Sequence, residues 1–189
     1  ARFTMPLLKN GMKMTICDLS SQMLEVARNN ITQAGLEAGL EDVVEGSIYE
    51  LPFEDGTFDH AISLNVYNHL EHPEVALGQM ARVVRPGGSI LINYANLRSW
   101  YWPAARRINK RSAAVDQKVY SSWIPAGHMK AAARDAGLTI DRRIGHVHVP
   151  RAMEGWPILP TVRMLDKISR GGPLASMASV HFCLFQKPA

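Results

Sequence analysis

The chain has 189 residues and a mass of 21.0 kDa, a size that suits one globular domain. Hydrophobic residues make up 47% and charged residues 20% of the chain, which excludes a disordered polypeptide. No apolar run reaches the ~18 residues that a membrane-spanning helix needs, and nothing at the start is typical of a signal peptide. The two cysteines, Cys17 and Cys183, are too few for a disulfide framework or a four-cysteine zinc site, so we expect a reducing, cytoplasmic setting.

The net charge of +4 conceals a division between the two halves of the chain. Residues 1–95 carry 6 Lys or Arg and 12 Asp or Glu, whereas residues 96–189 carry 15 and 5. Two interpretations stay open: the second half meets an anionic partner, or its bases form a solvated surface.

Helix and strand signals alternate along the first half, which predicts an α/β fold with a doubly wound, mostly parallel sheet and helices on both faces. Ser20 or Ser21 caps the helix after the first strand, and Pro73 stands at the start of a later helix, where its missing N–H is tolerated. The first of these helices carries apolar residues at helical spacing, namely Met23, Leu24, Ala27, Ile31 and Ala34. The predicted elements are helices over 2–9, 20–34 and 73–83, strands over 13–17, 42–46, 58–64 and 89–94, and a turn over 85–88.

The second half gives weaker signals. Residues 97–111 mix aromatic and basic side chains, and residues 150–175 hold four prolines. We expect a helix over 128–136 closed by Gly137, one long or two short strands over 138–149, and a final strand over 180–185.

Distinctive residues end three of the predicted strands: Asp18, the pair Gly46 and Ser47, and Asn65. In an open α/β sheet, ligands bind outside the carboxyl ends of the strands, and a carboxylate there commonly accepts hydrogen bonds from both ribose hydroxyls of a nucleoside cofactor. The alternative for Asp18 is a helix-leading cap. The same rule places a glycine-rich loop about 20 residues upstream, so we expect the native chain to continue before Ala1 with that loop and a central strand.

Four segments come in order at close spacing: residues 16–24 (ICDLSSQML), 46–59 (GSIYELPFEDGTFD), 65–70 (NVYNHL) and 81–88 (ARVVRPGG). Together they resemble the class I S-adenosylmethionine-dependent methyltransferases, particularly the branch of the ubiquinone/menaquinone biosynthesis methyltransferases. The resemblance covers residues 1 to about 95. It implies a Rossmann-like methyltransferase fold with an antiparallel last strand. It also implies one domain over 1–189, with a cofactor-binding half (1–95) and an acceptor-selecting half with a variable cover (96–189).

The resemblance implies S-adenosylmethionine as the cofactor and a role for each matching residue. Asp18 binds the ribose, and Leu19 and Met23 lie near the adenine, although Met23 is also a candidate core residue. Ser47 stands where the family usually has an Asp that bonds the adenine amino group, and a plain turn role is its alternative. Ile48 flanks the adenine. The remaining residues of the set, Asn65 and Val66, line the methionine portion.

Methyl transfer needs a general base only when the acceptor holds its proton tightly. His69, beside the predicted cofactor site, is the candidate base, with a packed structural histidine as the alternative. Tyr67 and Asn68 are candidates for orienting the acceptor. Further substrate-binding candidates come from the aromatic and basic stretch, namely Trp100, Tyr101 and Arg106. We expect no metal site, because His146 and His148 lack an evident third ligand.

The leading hypothesis is transfer of a methyl group to a small or lipid-like acceptor, with an anionic acceptor suggested by the basic second half. RNA is the alternative acceptor. A catalytically silent module that binds S-adenosylmethionine is the alternative from another class. A nicotinamide oxidoreductase is disfavoured by the segments over 51–53 and 85–88. The sequence predicts neither the atom methylated nor the oligomeric state.

Overall fold

A computed structural model of the chain describes residues 3–99, 123–146 and 178–189, together with Met164 and Lys167. The candidate site residues Trp100, Tyr101 and Arg106, together with His148, lie outside this part of the chain. By its contacts the chain divides into two compact units, Ala1–Phe53 and Glu54–Ala189. A single domain over residues 1–189 stays a prediction.

The first unit is a βαβ arrangement preceded by a short helix. Its elements are α1 (Thr4–Lys9), β1 (Met14–Asp18), α2 (Ser21–Gln33) and β2 (Leu40–Glu45). Strands β1 and β2 pair in parallel, so their carboxyl ends, Asp18 and Glu45, lie side by side. Helix α2 makes the crossover that a parallel pair requires.

Helix α2 begins where the sequence predicts. The Ser20 hydroxyl accepts a hydrogen bond from the Met23 N–H at 3.3 Å, which satisfies one of the donors left open at a helix start. The buried residues of the helix, Leu24, Ala27 and Ile31, follow helical spacing. Met23 is 55% exposed, so the alternative that placed it in the core is wrong.

The second unit is built on a four-stranded sheet. Its elements are β3 (Phe58–Ser63), α3 (Pro73–Val83), β4 (Val84–Ala95), α4 (Ala126–Asp135), β5 (Thr139–His146) and β6 (Val180–Gln186). The strand order is β3-β4-β6-β5, with β3 and β4 parallel and β6 antiparallel to both β4 and β5. The predicted mostly parallel sheet with an antiparallel last strand is therefore confirmed. Across the described residues, no helix combines the length and apolar character that crossing a bilayer requires.

The junction between α3 and β4 differs from the prediction. Strand β4 starts at Val84, so residues 85–88 belong to the strand rather than to a separate turn. These residues form an irregularity in the pairing with β3, which steps from Phe58 opposite Val84 to His60 opposite Ser89. At Gly88 a Cβ atom would clash with the Asp59 carbonyl oxygen, so only glycine fits there.

Candidate functional site

Asp18 is the last residue of β1, and its side chain is exposed at the carboxyl end of the strand. One carboxylate oxygen, Oδ1, accepts a hydrogen bond from the Ser20 N–H at 2.9 Å. The other oxygen, Oδ2, accepts none from the part of the chain that the structure describes. The exposed carboxylate is therefore held in place through Oδ1, and Oδ2 keeps its lone pairs for a ligand hydroxyl.

Exposed apolar side chains flank this carboxylate. Leu19, the next residue, is 73% exposed, and Met23, in the first turn of α2, is 55% exposed. A carboxylate beside apolar surface suits a nucleoside, which presents sugar hydroxyls next to a flat ring.

A second segment of the first unit lies against the end of β1. The Gly46 N–H donates to the Asp18 carbonyl oxygen at 3.0 Å, and the Cys17 thiol lies 3.7 Å from the Gly46 carbonyl oxygen. A Cβ atom on Gly46 would come within 2.9 Å of Pro52 Cδ and 3.1 Å of Cys17 Sγ. The close approach that glycine allows brings Ser47 and Ile48, the next two residues, to the end of β1, beside Asp18.

Ser47 performs the turn role that the sequence left open. Its hydroxyl accepts from the Tyr49 N–H at 3.2 Å, and its carbonyl oxygen accepts from the Glu50 N–H at 3.1 Å. A serine hydroxyl has one donor and two lone pairs, so the O–H and a lone pair are left for a ligand. The predicted contact of Ser47 with an adenine amino group stays a prediction.

In the second unit, Asn65 follows β3 with an unusual backbone. Its φ is +63°, the left-handed region, and it is the one non-glycine residue with positive φ in the described part of the chain. The Asn65 N–H donates to Asn93 Oδ1 at 2.6 Å, and Asn93 Nδ2 donates to Asn65 Oδ1 at 3.0 Å. Two hydrogen bonds to β4 therefore fix the segment that begins with Asn65 and Val66.

The next two residues of this segment, Tyr67 and Asn68, were predicted to orient an acceptor, and for Asn68 this role stays a prediction. The Tyr67 ring is fully buried, its hydroxyl donates to Met80 Sδ at 3.5 Å, and burial raises its pKa above the ordinary value. This burial argues against the predicted contact between Tyr67 and an acceptor. Asn68 Oδ1 accepts from the Ala95 N–H at 2.6 Å, so this side chain anchors the segment to β4.

His69 ends the short 3₁₀ turn Tyr67–His69, and its side chain is exposed. The alternative of a packed structural histidine does not fit that exposure. A role as general base stays a prediction. Among the described residues, no three His, Cys, Asp or Glu side chains group as a metal site would need.

Asn93 is the site residue that sequence reasoning missed. It lies in the apolar run of β4 and is only 5% exposed. A buried amide is unfavourable unless its polar atoms are paired, so a lone Asn in such a strand was the available signal.

Comparison with known proteins places the first half of the chain in a family. Residues 1–92 match the family model described as a methyltransferase domain. One stretch of 78 residues is 44% identical to the ubiquinone/menaquinone biosynthesis C-methyltransferase of Brucella anthropi, covering 41% of this chain and 29% of that protein. Another, of 82 residues, is 37% identical to the mitochondrial 2-methoxy-6-polyprenyl-1,4-benzoquinol methylase of Homo sapiens, covering 43% of this chain and 24% of that protein. A third, of 89 residues, is 33% identical to the phosphatidylethanolamine N-methyltransferase of Cereibacter sphaeroides, covering 47% and 43%. The matches thus span less than half the length of these curated relatives.

Solved structures extend the similarity to nearly the whole chain. An S-adenosylmethionine-dependent methyltransferase from Methanosarcina mazei has a TM-score of 0.71 at 14% identity, covering 98% of this chain and 86% of that one. One from Thermotoga maritima has a TM-score of 0.64 at 17% identity, covering 96% and 75%. Identities this low establish the fold alone.

Residues 1–92 therefore match the methyltransferase-domain family, and the chain has the Rossmann-like fold of the class I S-adenosylmethionine-dependent methyltransferases. Within that class, the relatives include the ubiquinone/menaquinone biosynthesis branch that the sequence predicts. The cofactor of this class is S-adenosylmethionine. The described residues fit it chemically, because the exposed Asp18 carboxylate keeps one oxygen for a ligand hydroxyl, and Leu19 and Met23, which follow it in the chain, have exposed apolar side chains.

Proposed function

We propose that this chain transfers a methyl group from S-adenosylmethionine to a small or lipid-like acceptor, with Asp18 as the main anchor of the cofactor. The observation that carries the proposal is the exposed Asp18 carboxylate at the carboxyl end of β1, fixed through one oxygen by the Ser20 N–H. Cofactors of open α/β folds bind at this edge of the sheet.

S-adenosylmethionine, when bound, supplies both the methyl group and its sulfonium leaving group, so the protein mainly aligns donor and acceptor. In this proposal Asp18 accepts hydrogen bonds from the ribose hydroxyls. Leu19, Met23 and Ile48 provide apolar surface for the adenine. The segment that begins with Asn65 and Val66 holds the methionine portion of the cofactor.

His69 is the proposed general base where the acceptor must lose a proton. Its exposed side chain stands four residues after Asn65, in the turn that follows the anchored segment. An imidazole titrates near neutral pH, which suits proton transfer under physiological conditions.

The proposed acceptor class rests on two observations. The relatives named above are, by their names, methyltransferases of quinone biosynthesis and of phosphatidylethanolamine, and these acceptors are lipid-like. Residues 96–189 carry 15 Lys or Arg against 5 Asp or Glu, and Arg142 and Arg143 are exposed on β5. This basic half favours an acceptor with an anionic group.

Calorimetry with S-adenosylhomocysteine tests the cofactor assignment. The native protein is expected to bind it, and Asp18→Ala is expected to weaken binding by roughly 10- to 100-fold, the range for hydrogen bonds to a charged group. Asp42→Ala is the matched control, because this exposed Asp of the same unit bonds only the N–H of its neighbour Val43 among the described residues. Equal affinity in the native protein and Asp18→Ala would contradict the assignment.

Turnover with methyl-labelled S-adenosylmethionine tests the acceptor. The panel comprises a short-chain demethylated quinol, phosphatidylethanolamine vesicles and RNA. Methylation of either lipid-like acceptor supports the proposal. Methylation of RNA alone would overturn the acceptor class, and binding without turnover on any acceptor would indicate a catalytically silent module.

A further inference from the structure

The end of β4 is joined to the segment after β3 by three short hydrogen bonds. Two of them form the reciprocal pair between Asn65 and Asn93, and the third runs from the Ala95 N–H to Asn68 Oδ1 at 2.6 Å. Strands β3 and β4 are parallel neighbours, so both carboxyl ends reach this point together. The three bonds thus fix residues 65–68 at both ends.

We infer that Asn93 is a positioning residue, which sets the affinity for the methionine portion of the cofactor by holding Asn65 in the left-handed conformation. This inference rests on the proposed function. Asn93 does not need to touch the cofactor, since it is only 5% exposed. It acts through the backbone that it fixes.

The backbone of Asn65 is the element that needs support. Left-handed backbone is unfavourable for residues with a Cβ atom, and asparagine tolerates it better than most. In the structure, Asn93 Oδ1 accepts from the Asn65 N–H at 2.6 Å, a bond to the backbone itself. A side-chain acceptor in this place selects one orientation of the peptide group before Asn65, and with it the orientation of the polar backbone groups that follow.

The surroundings of Asn93 show why this residue is an amide. The Asn93 side chain is itself buried, and burying an unpaired amide is unfavourable. Both functions of the Asn93 amide are paired, the oxygen with the Asn65 N–H and the nitrogen with Asn65 Oδ1. Both polar atoms of the Asn93 side chain therefore bond Asn65.

Two ligands separate this role from general destabilisation. S-adenosylhomocysteine carries the amino acid portion of the cofactor, whereas 5′-methylthioadenosine keeps the nucleoside and the sulfur but lacks that portion. Asn93→Ala is expected to weaken S-adenosylhomocysteine by about tenfold and to leave the affinity for methylthioadenosine within about twofold. Tyr94→Phe is the matched control, because it removes a buried hydrogen bond to His181 at the adjacent position of β4, whose side chain points to the opposite face of the sheet from Asn93. It is expected to bind both ligands as the native protein does.

A second pair of variants keeps the test decisive if Asn93→Ala does not fold. Asn65 is exposed, and Asn65→Gly and Asn65→Ala both lose the side-chain amide. Glycine adopts positive φ freely and alanine does not. Asn65→Ala is therefore expected to bind S-adenosylhomocysteine about tenfold more weakly than Asn65→Gly.

The outcomes distinguish a failure of the proposed function from a failure of the positioning role of Asn93. If the native protein binds neither ligand, the proposed function fails. If the native protein binds both, and Asn93→Ala loses them equally or not at all, the positioning role is overturned while cofactor binding stands. If Asn65→Gly and Asn65→Ala bind S-adenosylhomocysteine equally, the backbone conformation is not what Asn93 contributes, and the inference is also overturned.

Discussion

Tyr94 and His181 form a buried polar pair that joins β4 to β6. The Tyr94 hydroxyl lies 3.1 Å from His181 Nδ1, and the two rings meet edge to face with centroids 5.4 Å apart. The strands place them directly opposite each other, and both residues are almost wholly buried. The pair helps to fix the register of β6 against β4.

Removing the Tyr94 hydroxyl is expected to destabilise the protein without changing its fold. Tyr94→Phe keeps the ring contact but loses the hydrogen bond to His181, which lowers the free energy of unfolding by about 1–2 kcal/mol. Urea denaturation followed by circular dichroism measures the change. Tyr94→Leu is expected to cost more, because it also leaves a cavity. Equal stability of the native protein and Tyr94→Phe would show that the hydrogen bond contributes nothing net.

Lys187 is expected to stabilise the end of helix α3. Its Nζ donates to the carbonyl oxygens of Ala81 and Val84, at 2.8 Å and 2.7 Å, where a helix leaves acceptors unpaired and favours positive charge. Lys187→Met therefore lowers the free energy of unfolding by about 1–3 kcal/mol. Lys13→Met is the control, since the exposed pair with Glu41 is worth at most about 1 kcal/mol. Thermal melts of both variants check the difference, and similar losses would count against the role of Lys187.

The stability of the protein is expected to fall at alkaline pH, in part through Cys183. Burial raises the pKa of the Cys183 thiol to about 11, from an ordinary value of 9.0. The unfolded chain therefore loses this proton first, so the stabilisation is complete below pH 9.0 and is lost as the pH rises toward about 11. Unfolding free energies measured across this window test the assignment, because Cys183→Ala is expected to show a shallower decline. An identical slope in the variant would contradict it.

Glu74 is expected to lose its contribution to stability in acid. The pKa of the Glu74 carboxyl lies below its ordinary value of 4.5, mainly because its own backbone N–H donates a hydrogen bond to it. The hydrogen bond from the His128 ring and the positive charge of that ring lower the pKa further. The unfolded chain takes up the proton first, so the stabilisation is present above pH 4.5 and is lost as the pH falls below it. The bond between Glu74 Oε2 and His128 Nε2, 3.0 Å long, joins α3 to α4. Glu74→Gln is expected to flatten the acid side of the stability profile by less than about 1 kcal/mol, as measured by urea titration between pH 3 and 6.

Features that depend on neighbouring residues were predicted well from the sequence. The cap Ser20 and the start of α3 at Pro73 follow from local chemistry, because each residue satisfies or avoids an open N–H of its own helix. Asp18 was placed at the end of its strand for a similar reason, since the apolar run stops there.

Features that depend on distant partners could not be predicted in the same way. Strand β4 begins at Val84 because Val84 pairs with Phe58 of β3, and Gly87 and Gly88 then exchange backbone hydrogen bonds with Lys187, far along the chain. The residues around position 85 give no local signal of these contacts. The pair of Asn65 and Asn93 joins positions 28 residues apart, and its geometry depends on which strands are neighbours. Tyr67 was predicted to face an acceptor, but tertiary packing gives its hydroxyl a partner in Met80 instead.

The position of β6 between β4 and β5 has a consequence for biosynthesis. Ser89 of β4 pairs with Gln186 of β6, and Thr139 of β5 pairs with the same residue from the other side, so β6 joins β4 to β5. During synthesis on the ribosome, β4 and β5 are made before β6, so the backbone N–H and C=O groups that β6 pairs with are unpaired in the meantime. Unpaired strand edges of this kind can form hydrogen bonds with other nascent chains. Synthesis of residues 180–186 is thus the event that commits the second unit to its final topology.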